Sequence, residues 1–210
     1  MVLYITSNIY PMNYFISDLH INHRNILTYD GRPFRTVEEN NITIMDNWNQ
    51  TVTPNDNVYI LGDIGFGDPN KLAEYYRSLN GIKHLIRGNH DTPNIVGHSA
   101  MDGVFVEICD YKELYINPNL SVVLSHYPMV CFKNSFYGWI HLYGHVHNNT
   151  DWKIVERAKM CSQELYSRIQ SGPKNDVCRM YNVGCMLYYM NYTPRTLEQI
   201  LISNEGEVKL

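Results

Sequence analysis

The segment Arg87-Gly88-Asn89-His90-Asp91 is the stretch of this 210-residue sequence on which an interpretation of the whole chain depends. It follows the short apolar run of residues 82–86, so we predict that it lies just beyond the end of a buried β-strand. A glycine, an amide, an imidazole and a carboxylate in succession have no use in core packing, whereas they suit a metal site that faces a phosphate. The hypothesis requires further ligands elsewhere in the chain.

The first half of the sequence alternates predicted strands with predicted helices. Short apolar runs predict strands at residues 14–16, 58–61 and 82–86. Between them, the capping-box pattern of residues 36–39 opens one helix, and the pair Asp68-Pro69 opens a second. This order implies parallel strands joined by right-handed crossover connections.

The second half predicts strands joined by short turns. These strands lie at residues 104–108, 111–116, 120–124, 139–143, 179–183 and 186–192. Pro118-Asn119 suits a hairpin turn between the second and third of them. A short helix over residues 196–202 follows the last strand. The chain is therefore predicted to be α/β, with a parallel first half and a hairpin-rich second half.

A longer helix is predicted from residue 151 to about residue 170, with Gly172-Pro173 at its end. Its apolar positions are Ile154, Ala158, Leu165 and Ile169. No repeat, low-complexity tract or linker-like composition divides the chain, which predicts one domain spanning residues 1–210. Two interpretations of residues 1–13 stay open: an edge strand near residues 2–6, or an extension ahead of a compact domain that starts at Met12.

Composition limits the functions to be considered. Hydrophobic residues make up 44% of the chain and charged residues 18%, so disorder is not the default expectation. The net charge is -4 and no long basic run occurs, which disfavours duplex nucleic acid as a partner. Five cysteines without a Cys-x-x-Cys motif predict reduced thiols in a cytoplasmic protein. No apolar stretch approaches the roughly 20 residues that span a bilayer, so no membrane partner is expected.

Residues of metal-ligand type follow five of the predicted strands. They are Asp18, His20, Asp63, Asn89, His126, His145 and His147. Ligands of open α/β sheets bind beyond the carboxyl ends of the strands, so the groups of the first half are expected at one edge. Seven ligands are too many for one zinc ion and suit two metals that share a bridging carboxylate. Such a pair can hold a hydroxide and clamp a phosphoryl group for in-line displacement.

His90 is adjacent to Asn89 and is expected to point away from the metals. A histidine in that place is the natural proton donor to a leaving-group oxygen, or it stabilises phosphoryl oxygens as imidazolium. Asp91 is the candidate for orienting His90, and Gly88 is expected to permit the turn. Arg87 is interpreted as a structural ion-pair partner.

Three further residues receive interpretations from their positions. His23 and Arg24 lie shortly after the first ligands and either contact substrate phosphate or belong to a solvated loop. His141 lies within an apolar run, so we interpret it as a buried, hydrogen-bonded histidine or one that supports a metal ligand.

The pattern resembles the five motif blocks of the calcineurin-like metallophosphoesterases. These blocks are Asp18-Leu-His20, Gly62-Asp63, Gly88-Asn89-His90-Asp91, His126 and Gly144-His145-Val146-His147. The resemblance implies a four-layer α/β/β/α sandwich of two mixed β-sheets, with the metal site at the carboxyl ends of the strands. It also implies two divalent metal ions, with Mn²⁺ expected first and Fe, Zn²⁺ or Ni²⁺ as the others that the family uses.

The resemblance further implies a division of the ligands between the two metals. Asp63 would bridge them, with His90 as the catalytic histidine that binds neither. Asp18, His20 and His147 would complete one site. Asn89, His126 and His145 would complete the other. Residues 18–26 and 32–34 are similar to those of a compact bacterial and phage branch, in which the position of Asn22 is often glycine. Residues 151–176 match no motif and are interpreted as a partial helical cap over the site.

The predicted function is a metal-dependent phosphoric ester hydrolase in which a metal-bound hydroxide attacks phosphorus and His90 assists the leaving group. Its expected partner is a small phosphorylated molecule, such as a nucleotide or cyclic nucleotide, bound as a monoester or a diester. Two alternatives stay open. One is a nuclease that acts on single strands or ends, which would need a basic groove. The other is a scaffold that keeps the fold without catalysis, although no ligand of the pattern is missing.

Overall fold

Nine strands divide between two sheets in the part of the chain that the computed structural model describes, residues 10–168 and 178–206. The first sheet contains, in spatial order, β4 (Glu107–Cys109), β3 (Ile82–Ile86), β2 (Asn57–Ile60), β1 (Asn13–Ile16) and β9 (Arg195–Thr196). Its first four strands are parallel, and β9 pairs antiparallel with β1. The prediction of parallel strands in the first half is therefore confirmed.

The second sheet contains, in spatial order, β5 (Tyr111–Asn117), β6 (Leu120–Ser125), β7 (Ile140–Tyr143) and β8 (Arg179–Asn182). The hairpin of β5 and β6 is antiparallel, while β6, β7 and β8 are parallel to one another. Both sheets are thus mixed, as the resemblance implied.

Six α-helices connect or follow these strands in the described residues. They are α1 (Ile26–Tyr29), α2 (Val37–Thr51), α3 (Pro69–Arg77), α4 (Pro93–Val96), α5 (Thr150–Ser167) and α6 (Leu197–Glu205). Helix α2 begins where its sequence predicts, because the Thr36 hydroxyl accepts a hydrogen bond from the Glu39 N–H at 3.1 Å. The Glu39 carboxylate reaches one residue further back, to the Arg35 N–H at 2.8 Å. Helix α3 begins at Pro69 behind the Asp68 cap.

Alternating side chains of β6 show how the four layers pack. Val122 and Leu124 point into the large core shared with the first sheet. Val123 points to the other side, into a smaller core that Trp152 and Val155 of α5 help to cover. Each such buried aliphatic side chain contributes about 1.5–3 kcal/mol relative to an exposed one. Helix α5 therefore forms the outer layer over the second sheet, and the architecture is an α/β/β/α sandwich.

The predicted apolar face of α5 is wrong. Ile154 and Leu165 are 61% and 59% exposed, and Ala158 is half-buried. The inward face instead carries Trp152 and Val155, which pack against the smaller core of the second sheet. Ile169 and the predicted helix end at residues 172–173 lie outside the described residues, as do residues 2–6. The interpretation of residues 151–176 as a cap stays a prediction.

Two strand predictions also need correction. Residues 186–192 form turns rather than a strand, with hydrogen bonds from the Leu187 N–H to Gly184 O and from the Met190 N–H to Leu187 O. Buried side chains at this three-residue spacing satisfy a turn and not the alternation of a strand. The strand predicted at residues 104–108 begins later, at Glu107, and joins the first sheet beside β3. Helix α6 begins after Thr196, as predicted.

Among the described residues, no helix combines the length and the hydropathy that crossing a bilayer requires.

Candidate metal centre

The loops that follow five strands bring the candidate ligands together at one end of the two sheets. These strands are β1, β2 and β3 of the first sheet and β6 and β7 of the second. Ligand atoms of Asp18, His20 and His147 lie within 4.8 Å of one another, as do those of Asp18, Asp63 and His126. The two groups share Asp18, so they form one cluster built from both sheets.

Asp63 lies in the middle of this cluster. Its Oδ2 atom is 3.6 Å from His20 Nε2 and 3.7 Å from His126 Nε2. Its Oδ1 atom instead accepts a hydrogen bond from the His90 backbone N–H at 2.9 Å. The protein therefore holds one carboxylate oxygen, while the other faces histidines from both halves of the chain.

The remaining two ligands, Asn89 and His145, join the cluster through the Asn89 side chain. Its Oδ1 atom lies 2.9 Å from His126 Nε2 and 2.9 Å from His145 Nδ1. The backbone N–H of His145 donates at 3.0 Å to Oδ2 of Asp18, which is fully buried. The structure thus brings all seven predicted ligands into one connected set of contacts.

Two of the histidines are oriented by the ring nitrogen that faces away from the cluster. His126 Nδ1–H donates to the Leu61 carbonyl at 2.8 Å, and His147 Nδ1–H donates to Asp30 Oδ1 at 2.5 Å. In the neutral ring, each bond leaves Nε2 aimed into the cluster as a bare lone pair. The protein therefore selects the tautomer that a metal ligand requires.

The donor atoms of the cluster fit divalent cations. His20 Nε2 and His147 Nε2 lie 3.2 Å apart, and His126 Nε2 lies 2.9 Å from Asn89 Oδ1. The His126–Asn89 contact places two lone pairs against one another, because His126 carries its proton on Nδ1, whereas His147 must lose a proton before its Nε2 can bind a metal. His20 Nδ1 is also buried without a hydrogen-bond partner among the described residues. A cation relieves this arrangement because it accepts lone pairs from nitrogen and oxygen on all sides.

Burial and nearby charges shift the pKa values in the cluster. Burial lowers the pKa of His20 to about 3, so the ring is neutral and free to bind a metal. Burial, helped by the charge of Asp18, raises the pKa of Asp63 to about 6. Burial lowers the pKa of His147, but hydrogen bonds and charges from Asp18 and Asp30 outweigh it and raise that pKa to about 10. Metal binding would therefore release a proton from His147.

Four of the candidate ligands have a left-handed backbone. The φ angles are 56° at Asp18, 50° at His20, 55° at Asp63 and 71° at His145. This conformation costs about 1 kcal/mol or more at each non-glycine residue, although Asp and His tolerate it better than most. The strain is concentrated at the strand ends, where the backbone must turn sharply and still present a side chain to the cluster.

Gly88 and Gly144 are required by the close approach of neighbouring groups. A Cβ atom on Gly88 would lie 2.3 Å from Asp63 Oδ1, and one on Gly144 would lie 2.6 Å from Asp18 Oδ2. Gly88 does not have a positive φ angle. A turn does start at Gly88, whose carbonyl accepts a hydrogen bond from the Asp91 N–H at 3.2 Å, and the missing side chain is what admits the Asp63 carboxylate beside it.

His90 lies beside the cluster with its imidazole free. Its ring centroid is 5.7 Å from that of His20 and 4.9 Å from that of Phe66. Its backbone N–H binds Asp63, while no described residue hydrogen-bonds to its ring nitrogens. The ring is half-buried, so a substrate oxygen can reach it.

Asp91 does not orient His90, contrary to the sequence-based interpretation. Its Oδ2 atom accepts hydrogen bonds from the backbone N–H groups of Asp63 at 2.9 Å and Gly88 at 2.7 Å. Its Oδ1 atom accepts one from the Ile64 N–H at 2.9 Å. Both oxygens are therefore committed to the backbone of the two loops that deliver Asp63 and Asn89. Asp91 joins these loops, and its carboxylate forms no hydrogen bond to the His90 ring among the described residues.

The two predicted substrate-binding residues lie in different places. The His23 ring is 5.5 Å from the His20 ring and 4.2 Å from the Phe66 ring, so it borders the cluster. Arg24 is exposed and, with Arg35, lines a cavity of about 470 Å³ whose walls contain none of the candidate ligands. The structure brings His23 to the cluster and does not bring Arg24 there.

Sequence reasoning missed three residues that support the cluster: Asp30, Arg32 and Phe66. The buried Arg32 donates from Nε to Asp30 Oδ2 at 2.9 Å and from Nη2 to the Asp18 carbonyl at 2.8 Å. It thus ties Asp30, the partner of His147, to the first ligand loop. The signal for Arg32 was its place in the motif of residues 32–34, while Asp30 resembled an ordinary turn residue.

Two predictions for histidine and arginine hold in the structure. His141 is fully buried, with Nδ1–H donating to Val123 O at 3.1 Å and Nε2 accepting from the Met129 N–H at 3.1 Å. Arg87 forms two hydrogen bonds of 2.7 Å with the Asp110 carboxylate. The five cysteines are all free thiols, also as predicted.

Comparisons with known proteins agree with this geometry. The family model for calcineurin-like phosphoesterase matches residues 14–182. An uncharacterized protein of Methanocaldococcus jannaschii is 40% identical over 139 residues, which cover 65% of this chain and 69% of that protein. The Gene 66 protein of Mycobacterium phage D29 is 28% identical over 192 residues, covering 80% of this chain and 95% of the phage protein.

A solved structure extends the comparison to the fold. The crystal structure of a protein of unknown function from Aquifex aeolicus superposes with a TM-score of 0.62 at 25% identity. The superposition covers 91% of this chain and 98% of that one. Because the family model also matches most of the chain, this protein belongs to the calcineurin-like phosphoesterase family.

Proposed function

We propose that the protein is a phosphoesterase that uses two divalent metal ions, Mn²⁺ first among them, to hydrolyse a small phosphorylated substrate. Family membership supports metal-dependent phosphoester hydrolysis. The observation that carries the proposal is the convergence of bare donor atoms around Asp63 Oδ2, which faces His20 Nε2 at 3.6 Å and His126 Nε2 at 3.7 Å. One carboxylate oxygen between two groups of ligands is what a shared pair of ions needs.

The ligands divide into two sets around this oxygen. Asp18, His20 and His147 form the first set with Asp63. The second set is formed by Asn89, His126 and His145 with Asp63. When bound, two divalent ions neutralise charge on a phosphoryl group and activate water as the nucleophile. The neutral Asn89, in place of a third carboxylate, preserves a positive surplus that attracts phosphate.

The residues that border the cluster supply proton transfer and a wall. His90 has free ring nitrogens beside His20, so it can donate a proton to the leaving-group oxygen. The ring of Tyr127 lies 4.6 Å from that of His145 at the other end of the cluster. Tyr127 and Asn89 also line a cavity of about 370 Å³. This volume and the exposed aromatic ring suit a nucleotide, since bases stack on such rings.

The test measures hydrolysis of a panel of phosphoesters by the protein loaded with Mn²⁺. The panel compares p-nitrophenyl phosphate with bis-p-nitrophenyl phosphate and includes mononucleotides and cyclic nucleotides. Metal content is measured on the same samples. Two bound ions and turnover of at least one substrate class are expected. Bound metal without turnover of any substrate would contradict the enzymatic proposal and favour a scaffold. Turnover confined to single-stranded oligonucleotides would favour a nuclease.

Two variants separate His90 from the metal ligands. His90→Asn should lower kcat by about 10²–10⁴, the usual contribution of a general acid, with metal content unchanged. Asp63→Asn should lower metal content as well. His98→Asn is the matched control, because His98 is exposed and caps a turn through its side chain.

Free thiols at all five cysteines support a reducing, cytoplasmic location for this activity.

A further inference from the structure

Helix α5 carries an apolar stripe that points away from the body of the protein. Ile154, Ala158, Cys161 and Leu165 follow one another at intervals of four, three and four residues, which places them in one line along a helix. Ile154 and Leu165 are 61% and 59% exposed, and Cys161 is exposed. An apolar line of this kind on a surface helix marks an interaction site when it is contiguous.

The body of the protein does not use this stripe within the described residues. Trp152 and Val155 pack on the second sheet from another side of α5. Lys159 extends along the same side, with Nζ 4.8 Å from the centre of the Tyr181 ring and 3.1 Å from the Met180 carbonyl. The helix therefore has two separate contact faces, of which the fold occupies one.

The spacing of the stripe is that of a two-stranded coiled coil, in which apolar residues recur at alternating steps of three and four. Its ends are marked by charges: exposed Asp151 lies one step before Ile154, and exposed Arg168 one step after Leu165. Two more exposed charges, Arg157 and Glu164, lie along the flank that faces away from the body. These charges restrict how a partner helix can lie on the stripe.

We propose that the stripe is a homodimer interface, in which α5 packs antiparallel on α5 of a second copy about a two-fold axis between Lys159 and Met160. In this register Ile154 faces Leu165 of the second copy, and Ala158 faces Cys161. The same axis sets Asp151 against Arg168, and it brings Arg157 to within two residues of the level of Glu164 of the second copy, on the same flank. Every pair occurs twice, as an isologous interface requires.

Charge complementarity identifies the second copy as the occupant and fixes its direction. A parallel pairing would set Asp151 against Asp151 and Arg168 against Arg168, which is repulsive. Only the antiparallel arrangement gives opposite charges at both the ends and the flank. Within one chain Glu164 already contacts Arg168, but this exposed pair is weak and leaves both side chains available.

The interface is small, so the dimer is expected to be weak. Four apolar side chains from each helix bury less than the roughly 1,200–2,000 Å² of a standard interface, which suggests a dissociation constant on the order of micromolar. Sedimentation velocity over a concentration series is therefore the appropriate measurement. The full-length protein should shift from monomer to dimer over this range. A wild-type protein that stays monomeric up to about 500 µM would overturn the proposal.

Substitutions on α5 show whether a dimer uses this face. Ile154→Glu should raise the dissociation constant about tenfold or more, because it places a charge in the apolar line. Met160→Glu is the matched control: Met160 is 66% exposed on the same helix but lies off the stripe. Equal dissociation constants for the two variants would refute the assignment of this face. Both sites are exposed, so neither variant should lower the melting temperature.

A charge exchange tests the antiparallel register. Arg157→Glu and Glu164→Arg should each weaken the dimer, and the double variant should restore it, since the pair is then reversed on both copies. A short bis-maleimide should also link two copies through Cys161, which lies near the axis. Cys131, exposed elsewhere, serves as the control: Cys161→Ser should abolish the linked product and Cys131→Ser should not. A double variant weaker than either single variant would contradict the register.

Discussion

The substitution Asp91→Asn tests the role that the structure gives to this buried carboxylate. In the native protein its two oxygens accept three backbone hydrogen bonds, from Asp63, Ile64 and Gly88. An amide of the same shape has one acceptor oxygen, and its NH₂ group faces an N–H donor where the second oxygen stood. We therefore expect a loss of stability and of metal binding, because the two ligand loops are no longer held together.

The size of the effect follows from these contacts. One orphaned buried N–H costs about 1–3 kcal/mol. The bonds that remain are no longer charge-assisted, which adds about 1 kcal/mol. The sum is about 2–4 kcal/mol, and in a chain of this size each kcal/mol lowers the melting temperature by about 2–4 °C. The melting temperature of the variant should thus fall by about 4–16 °C.

Scanning calorimetry of the metal-free protein measures this shift, and metal analysis after dialysis measures the loss of binding. Asp110→Asn is the matched control, since Asp110 is an exposed carboxylate whose solvent-screened pair with Arg87 contributes little to stability. If Asp91→Asn left the melting temperature and metal content unchanged while kcat and its pH profile altered, the reasoning would be refuted. Asp91 would then act through His90 after all.

Three further substitutions test other parts of the structure. Asp30→Asn should lower metal affinity about 10–100-fold, measured by competition with a chelator, because one amide oxygen cannot accept from both His147 Nδ1–H and Arg32 Nε–H as the two carboxylate oxygens do. Gly144→Ala should lower metal content, since its Cβ atom would lie 2.6 Å from Asp18 Oδ2; normal metal content would contradict the packing argument. Burial lowers the pKa of His141 to about 4 from 6.5, so the unfolded chain binds more protons between these values. Stability from this group is present above the unfolded pKa and lost as the pH falls, by about 3 kcal/mol in full. Urea unfolding at neutral pH and at about pH 5 should therefore show a smaller pH dependence for His141→Gln than for the wild type.

Much of the first sheet could be predicted from the sequence because its strands are local and apolar. β3 occupies residues 82–86 as predicted, β1 starts one residue earlier than predicted, and β2 is shifted by one residue at both ends. The pairing of β4 with β3 could not be predicted, since a three-residue strand carries too little pattern and forms where the edge of a sheet is free to pair. The two-residue β9 is shorter than any pattern can indicate.

The helix α5 shows a different limit of sequence reasoning. The sequence predicts that its most apolar line is the core face, yet the fold uses a mixed face that includes Lys159 and Ser162. Lysine can cover apolar surface with its stem while its amino group reaches a polar partner. Hydropathy alone therefore predicts the wrong face of the helix as the buried one.

In the candidate site, the residues at strand ends were predictable, and their supporting contacts were not. The seven ligands follow strands in sequence and meet because the sheets stack. The sequence pairs Asp91 with its neighbour His90, whereas two of its three hydrogen-bond partners lie on another loop, 27 and 28 residues away. Such contacts are set by the tertiary arrangement, which no short pattern records.

The division of the ligands between the two sheets has a consequence for how the chain folds. His20 of the first sheet meets His147 of the second across 127 residues of sequence. Contacts of such long range form late, since the entropy of closing the chain is lost before they are made. The cluster is thus absent until both sheets have formed and docked. The rate of metal binding during refolding would therefore measure this final docking step, while spectroscopic probes placed within either sheet would report earlier events.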